Sequence, residues 1–430
     1  MSYTRHHDSS VLHQLPDVDA ALNSAASLTE LVAFCSQQRL KPTVYTGAAG
    51  VALALWRAGS LKQRGDWLEA AQQLASSALS AVVNSPGYYV QESLLDGTAG
   101  VVLVNCLTGA AGQQAAVSPQ VQQLLSSYTD ICHAAAAGSA DTSDEFLYGR
   151  AGTLFGALLL RQQLGEAAVP DAAVGQLIAS ILASGRSLAA RLPVFQASRC
   201  PLAYLWPPGR AAEPYLGAAH GLMGILYVLL HCGQWLQEDA AALQDVQDSL
   251  RFVLSCEQDL PGSAQGSGGH YPALMALAGS AASPDRQPLV HWCHGAPGAV
   301  FLWCKAYEVF GDASYLQAAL RAGEVVWQRG LLKKGPGLCH GVAGNAYALL
   351  RLWKTTQDDA WLQRGKSFAA FMVSPGGKPE WHTPDHPTSL FEGAAGAICL
   401  LAELQELQKA GRAAAPPGAV AFPLYELWGS

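Results

Sequence analysis

A short glycine turn followed by an apolar run recurs seven times along the chain. Each copy is a glycine, two small or variable residues and a second glycine, at 47–50, 97–100, 149–152, 221–224, 295–298, 341–344 and 393–396. The run after Gly50 is Val-Ala-Leu-Ala-Leu-Trp, and the run after Gly344 is Asn-Ala-Tyr-Ala-Leu-Leu. Runs that are apolar almost all round are typical of buried helices, so each copy predicts the start of one.

More polar, amphipathic segments lie between the copies. In 63–82 and 313–328 the apolar residues recur three and four positions apart, as in a helix with one buried face. Successive first glycines are between 46 and 74 residues apart, which leaves room for two helices and two loops. We therefore predict seven units, each with an inner and an outer helix.

The end repeats favour a closed ring over an open solenoid. A solenoid needs polar capping repeats, and neither end repeat has that character. The predicted fold class is all-α: an α/α toroid of seven inner and seven outer helices, with the glycine turns gathered at one end. We expect one domain over 1–430, with an irregular N-terminal arm at about 1–20. The long spacings at 192–214 and 260–288 are rich in Pro, Gly and Ser and predict loops around the mouth.

Composition and charge narrow the class of protein. Apolar residues make up 50% of the chain and charged residues 14%, which permits a large core. The net charge is −7 and no Lys/Arg cluster is longer than Lys333-Lys334, which argues against a nucleic-acid groove. The polar start, 1–16, has no apolar signal region, and no stretch of about 18 uncharged apolar residues predicts a membrane span. We expect a cytoplasmic protein without a transmembrane segment, and peripheral membrane association stays open.

Two of the ten cysteines have a pattern of their own. Cys293-His294-Gly295 and Cys339-His340-Gly341 are the same tripeptide at the same place in adjacent repeats. Thiolate and imidazole are ligands suited to zinc. The spacing allows a closed Cys2His2 site, which is structural, or a three-ligand site with a fourth position for water or substrate. A zinc-bound thiol stays ionised near neutral pH, so an open site would activate a thiol nucleophile.

The same turns carry a resemblance to a known family. The segments 147–152, 217–221, 291–298, 330–341 and 389–393 resemble those of the eukaryotic LanC-like proteins, relatives of the bacterial lanthionine cyclases. The resemblance covers nearly the whole chain. It implies an α/α toroid with seven inner and seven outer helices, which agrees with the repeat count.

The resemblance also implies ligands. Zinc would be held by Cys293, Cys339 and His340, with the fourth position taken by a substrate thiol. Glutathione contacts fall on Lys334 and on the segment His382, Thr383, Pro384 and Asp385, which in the family usually begins with Arg. A lysine suits this role because its ammonium pairs with a glutathione carboxylate.

Acid/base candidates follow from the same comparison. His220 matches the histidine proposed as acid/base in the cyclases, and Glu145 lies near the place of a cyclase Asp. Conjugate addition creates an enolate that must be protonated, and a histidine titrating near pH 7 suits that task. Tyr148, Arg150 and Glu392 are further candidates for the cavity wall.

The leading hypothesis is a zinc-dependent glutathione transferase that adds glutathione to dehydroalanine or dehydrobutyrine in proteins or peptides, forming a thioether. A non-catalytic glutathione-binding signalling adaptor is the runner-up. A lanthionine cyclase is disfavoured, because bacterial cyclases tend to have Arg four residues before the first ligand Cys, where this chain has Leu289; Arg286 lies seven before. An α/α-toroid glycosidase would need paired carboxylates, and the acids of the turns are scattered.

Overall fold

The computed structural model describes residues 6–15, 17–23, 25–36, 40–85, 87, 89–110, 118–139, 142–209, 212–275, 288–411 and 420–428. In chain order its α-helices are α1 (Val18–Asn23), α2 (Ala25–Cys35), α3 (Ala48–Lys62), α4 (Gly65–Val83), α5 (Thr98–Gly109), α6 (Pro119–Ala137), α7 (Arg150–Leu164), α8 (Asp171–Arg191), α9 (Pro193–Ala197), α10 (Leu222–Leu230), α11 (Gly233–Glu238), α12 (Ala240–Ser255), α13 (Ala296–Phe310), α14 (Ala313–Arg329), α15 (Val342–Thr356), α16 (Asp359–Val373) and α17 (Ala394–Ala410). The 3-10 helices are Ser9–Gln14, Glu166–Ala168 and Lys378–His382, and the strands β1 (Gln258–Asp259) and β2 (Gly269–His270) pair antiparallel.

Seven helices form the inner wall of a ring: α3, α5, α7, α10, α13, α15 and α17. Each begins one residue after the first glycine of a repeat, as predicted, and most of its residues are buried. Each packs on the next, and α17 packs on α3, which closes the circle. The predicted all-α toroid is confirmed.

Both glycines of a turn are required by close backbone contacts. A Cβ on Gly97 would lie 1.9 Å from the carbonyl oxygen of Val90, and a Cβ on Gly100 would lie 1.8 Å from that of Leu94. Real Cβ atoms do not approach this closely, so a side chain at either place would push the turn away from its helix. The repeat is thus a packing requirement of the turn.

The outer wall is formed by helices with one buried face: α4, α6, α8, α12, α14 and α16, completed by α2. Segments 63–82 and 313–328, predicted as outer helices, are α4 and α14. The outer partner of α17 is α2, from the N-terminal part of the chain. Both closing contacts, α17 on α3 and α17 on α2, therefore join residues far apart in sequence.

The N-terminal segment is more regular than expected. Among its described residues, Ser9–Gln14 forms a 3-10 helix whose N-cap is Asp8, and α1 begins at Val18. The amide of His7 donates to the carbonyl of Leu331 (2.7 Å), and its Nε2 lies 3.0 Å from Glu380. The expectation of an irregular arm is wrong for these residues, because they pack on the loops after α14 and α16; residues 1–5 and 16 lie outside the description.

The two long spacings are not wholly loops. Between repeats three and four lies the short helix α9, and between repeats four and five lies β2. Residues 210–211 and 276–287, which include Arg286, lie outside the described residues.

Residues 420–428 lie inside the ring. Phe422, Leu424 and Tyr425 have no exposed surface. The ring of Tyr425 lies 5.0 Å from Trp292 and 4.4 Å from Tyr227, centroid to centroid. The segment therefore fills the space between inner helices and turns that are distant in sequence.

Among the described residues, one helix, α8, is long and apolar enough by length and composition to cross a membrane. In the fold it is an outer helix, and 44% of its most apolar window is buried inside the structure. Its buried face packs on α6 and α7, and core helices of folded domains commonly have this composition.

Candidate metal centre and active site

A chain of main-chain hydrogen bonds links the glycine turns around the ring. It involves the residue two places before the first glycine of each turn, whose amide donates to the carbonyl of the equivalent residue in the next turn. The observed bonds run from Tyr45 to Leu95 (2.6 Å), Leu95 to Leu147 (3.3 Å), Leu147 to Ala219 (3.3 Å), Ala219 to Cys293 (3.4 Å), Cys339 to Phe391 (2.7 Å) and Phe391 to Tyr45 (3.2 Å). In the turns, all of which are described, the link that is missing is the one from Cys293 to Cys339.

The next position along each turn supplies most of the polar side chains of this end of the ring. These residues, one place before the first glycine, are Thr46, Asp96, Tyr148, His220, His294, His340 and Glu392. Neighbours in the series interact: Tyr148 stacks near His220 (5.9 Å between ring centroids), and His220 lies 6.2 Å from His294. The repeat therefore gathers chemically active residues at one end of the toroid.

At the missing link, Cys293, Cys339 and His340 converge. Their ligand atoms all lie within 4.8 Å of one another. The two thiols are buried, with 8% and 3% of the residue surface exposed. Burial, followed by the neighbouring Cys293, raises the pKa of Cys339 well above 9.0, although His340 acts in the opposite direction. Two buried thiols this close stay protonated on their own, and a bound cation would let them ionise.

The donor set fits a zinc ion. Tetrahedral zinc, with Zn–S near 2.3 Å and Zn–N near 2.0 Å, separates its ligand atoms by roughly 3.3–3.8 Å. The three donors all lie within 4.8 Å of one another, so small side-chain adjustments bring them to this spacing, and thiolate and imidazole are the ligands that zinc prefers. In the part of the chain that the structure describes, this is the cluster of His, Cys, Asp and Glu donors compact enough to hold a metal.

His294, which the spacing left open as a fourth ligand, lies outside this cluster. Its ring lies 5.6 Å from that of Tyr215 and faces His220. Burial, and secondarily the charge of His220, lower the pKa of His294 to about 4. The structure thus places the ring of His294 near that of His220, at 6.2 Å between centroids.

His220 and Glu145 form a hydrogen-bonded pair. Nδ1 of His220 donates to Oε2 of Glu145 at 2.8 Å. The buried carboxylate also accepts from the amides of Leu147 (2.9 Å) and Tyr148 (2.5 Å), so its position is fixed by its own turn. Because Nδ1 is taken, Nε2 is the nitrogen that can reach a substrate. The turn of His220 is bonded to that of Cys293 through Ala219, so the pair stands beside the thiol cluster.

The residues implied as glutathione contacts come from two segments that touch each other. The charge of Lys334 acts on His340, which places its ammonium near the donor set. Gly335, next in sequence, has φ +90° and lies against Pro384. His382 and Asp385 are exposed near this contact, as is Thr383. The two segments are therefore in contact, and the ring of His382 lies edge-on to Phe34 with centroids 5.1 Å apart.

Glu392 and Tyr45 border the donor set. Glu392 accepts from Nδ1 of His386 at 2.8 Å. Tyr45 stacks on Phe391 with centroids 5.1 Å apart, and its pKa is raised by burial, then by Cys339 and Cys293. Its hydroxyl therefore faces the thiols. Arg150, by contrast, is held away by Asp144 (2.7 Å) and the carbonyl of Ala135, so it ties a turn to an outer helix.

A family model described as lanthionine synthetase C-like protein matches residues 38–412. The chain belongs to this family. Among curated LanC-like relatives, "Glutathione S-transferase LANCL1" of Danio rerio is 36% identical over 385 residues, covering 90% of this chain and 85% of the relative. "LanC-like protein GCL1" of Arabidopsis thaliana is 41% identical over 271 residues, 62% of this chain and 56% of that protein.

A solved structure has the same fold. "Nisin cyclase" superposes with a TM-score of 0.64 at 16% identity, covering 88% of this chain and 93% of the cyclase chain. At that identity the match bears on architecture alone, and it agrees with the toroid seen here.

Three aromatic residues of this LanC-like site were missed by the sequence analysis. Trp206 and Tyr215 lie against His220, and Tyr45 lies at the thiols. Tyr45 had a usable signal, because it occupies the same repeat position as Cys293 and Cys339. Trp206 had none, because it lies in a segment between repeats that has no periodic counterpart.

Proposed function

We propose that this chain is a zinc-dependent glutathione transferase, which adds the glutathione thiol to dehydroalanine or dehydrobutyrine in proteins and forms a thioether. The observation that carries the proposal is the adjacency of a Cys293–Cys339–His340 donor set and a His220–Glu145 pair in neighbouring turns. Thiol addition to a conjugated double bond needs these two functions, an activated sulfur and a proton donor. The name of the zebrafish relative supports the choice of thiol.

Cys293, Cys339 and His340 would hold the zinc ion, which when bound keeps a coordinated thiol ionised near neutral pH. Lys334 would pair with a carboxylate of glutathione, and His382, Thr383, Pro384 and Asp385 would border the rest of the tripeptide. The contact between Gly335, the neighbour of Lys334, and Pro384 supports the grouping of these two segments in one site.

His220 would protonate the α-carbon of the dehydroamino acid. As the sulfur bonds to the β-carbon, the electron pair of the double bond moves to the α-carbon and its carbonyl. A proton from Nε2 of His220 quenches the enolate at the α-carbon and leaves the imidazole neutral. Glu145 holds Nδ1 and orients the ring. The proton lost by the thiol balances the one delivered.

We also propose a cytoplasmic location. No disulfide bond joins any of the ten cysteines, all of which the structure describes, as is usual for proteins of a reducing compartment. Glutathione is itself a thiol of such compartments, so the location and the proposed substrate are consistent.

The decisive experiment incubates the zinc-loaded protein with glutathione and a dehydroalanine-containing peptide. Mass spectrometry should show a peptide heavier by one glutathione. The His220→Ala variant should retain zinc and form the adduct about a hundredfold more slowly, since general acids contribute about 10²–10⁴ in rate. Glutathione binding without an adduct would identify a non-catalytic binding protein instead, and cyclisation of a peptide that carries its own cysteine would favour a cyclase.

A further inference from the structure

The hydrogen bond to Glu145 fixes only one edge of the His220 ring. Nδ1 is held at 2.8 Å, but a ring anchored at one atom can still tilt about that contact. Tilting moves Nε2, the nitrogen on the far side of the ring, away from the place where it must meet the α-carbon. A productive acid needs a second restraint on the plane of its ring.

Trp206 supplies a restraint of this kind. Its indole lies face to face with His220, with ring centroids 3.8 Å apart and planes 10° apart. Stacked rings of this geometry attract each other and resist tilting. Trp206 is half-buried and comes from the segment between repeats three and four, which has no counterpart at most other junctions.

The indole is itself held from several directions. The amide and carbonyl of Trp206 exchange hydrogen bonds with Glu213, both at 3.0 Å. Tyr215 meets the indole edge-on at 5.7 Å, and Tyr148 lies parallel to it at 5.9 Å. Because the Trp206 side chain is fixed by its main chain and by two neighbouring rings, it can restrain the orientation of the His220 imidazole.

We propose that Trp206 is a positioning residue for proton delivery: it holds the plane of His220 so that Nε2 faces the α-carbon of the dehydroamino acid. The inference rests on the proposed function, in which His220 is the acid. It also gives a function to the segment between repeats three and four, which places the indole of Trp206 against His220 in the fourth turn. It also predicts that Trp206 acts through His220 and not on the thiol.

The test compares Trp206→Ala and Trp206→Phe with wild type in the glutathione–dehydroalanine assay. We expect Trp206→Ala to lower kcat by about tenfold to a hundredfold, with KM for glutathione and zinc content unchanged. Trp206→Phe keeps a ring for stacking and should retain most of kcat. Trp235→Ala is the matched control, because Trp235 is also half-buried but packs under Arg161; it should leave kcat unchanged.

Two further measurements separate positioning from a general structural effect. In a His220→Ala background, Trp206→Ala should cause no further loss, because both changes remove one function. In NMR spectra, the carbon-bound ring protons of His220 should be shifted upfield by the indole in wild type and return toward ordinary positions in Trp206→Ala. Normal kcat in Trp206→Ala, additive losses in the double variant, or no ring-current shift would each overturn the inference. Absence of adduct with the wild-type protein would instead overturn the proposed function, and this inference with it.

Discussion

Cys293 and Cys339 occupy the same position in adjacent turns, yet they are the pair of equivalent neighbours that no main-chain hydrogen bond joins in the described ring. The carbonyl of Cys293 is bonded to Ala219 on one side, and the amide of Cys339 is bonded to Phe391 on the other. Between them stand two thiols and the imidazole of His340. A metal held by these side chains would join the two turns where hydrogen bonding does not.

The first prediction concerns metal content. The purified protein should carry about one zinc per chain, since the three donors form one site. Cys339→Ala removes a thiolate that lies within reach of both other donors, so most of the zinc should be lost after dialysis against a chelator. Elemental analysis by mass spectrometry measures it. Cys304→Ala, a buried thiol on α13, is the control and should keep the metal; full zinc in Cys339→Ala would contradict the ligand assignment.

Metal removal should loosen one junction more than the others. If zinc replaces the missing hydrogen bond, amides of the two turns around Cys293 and Cys339 should exchange with deuterium faster in the chelated protein. The turns around Leu95 and Leu147, bonded to each other at 3.3 Å, should change little. Hydrogen-exchange mass spectrometry on both forms resolves the regions. Equal acceleration in all turns would mean that zinc stabilises the fold globally and not this junction.

His294 and His340 should differ in their effect on zinc. The ligand atom of His340 lies within 4.8 Å of both thiol sulfurs, whereas the ring of His294 lies near those of Tyr215 and His220. We therefore expect His340→Ala to release the metal and His294→Ala to keep it. Zinc titration with a colorimetric chelator compares the two variants directly. Equal loss from both would indicate a closed four-ligand site, which is incompatible with an open position for a thiol.

Lys334 should matter for glutathione and not for zinc. A charge-assisted hydrogen bond contributes about 1.5–3 kcal/mol, so Lys334→Ala should weaken glutathione binding by about tenfold to a hundredfold. Lys333→Ala is the internal control, because it removes the same charge one residue away and should change affinity little. Calorimetric titration of glutathione into the three proteins gives the comparison. Unchanged affinity in Lys334→Ala would remove this residue from the site.

Glu426 should stabilise the ring in a pH-dependent way. Burial alone would raise its pKa, but Lys354 at 2.9 Å and Arg351 outweigh burial, and the pKa of Glu426 lies below 4.5. A carboxylate with a lowered folded-state pKa stabilises the fold above its unfolded pKa, and loses that contribution as the pH falls through the folded value. Glu426→Gln should therefore lower the free energy of unfolding by about 3–5 kcal/mol at neutral pH.

The difference between wild type and Glu426→Gln should shrink as the pH falls from about 4.5 through the lower folded-state pKa, because the unfolded chain takes up the proton first and the native carboxylate is neutralised last. Urea unfolding at several pH values measures it. Glu406→Gln is the control, because its partner Lys62 is partly solvated and such pairs are worth at most about 1 kcal/mol. A pH-independent difference would mean that shape, and not charge, makes Glu426 important.

The sequence predicts those parts of this protein that repeat. The glycine pairs mark the start of every inner helix, because both glycines lie against backbone atoms of the turn. Equivalent positions then place Cys293, Cys339 and His340 near one another, since all turns lie at one end of the ring. The same argument brings His220 beside His294.

Contacts made by segments outside the repeat could not be predicted in this way. The path that sets Trp206 on His220 depends on the pairing with Glu213, for which the periodic pattern gives no register. The pairing of α2 with α17 joins residues far apart in sequence. The hydrophobic pattern also does not predict that Tyr425 lies inside the ring, because an apolar residue in a short segment fits many buried environments.

The interior position of residues 420–428 has a consequence for folding. Tyr425 packs on Trp292, the neighbour of Cys293, and α17 closes the circle against α3. During synthesis, a chain that has completed six turns still lacks both the closing helix and the filling of the interior. Its apolar inner surfaces therefore stay open until late, a state in which non-local contacts form slowly and aggregation competes. Assembly of the candidate metal centre thus depends on residues translated about 90 positions after the last ligand, His340.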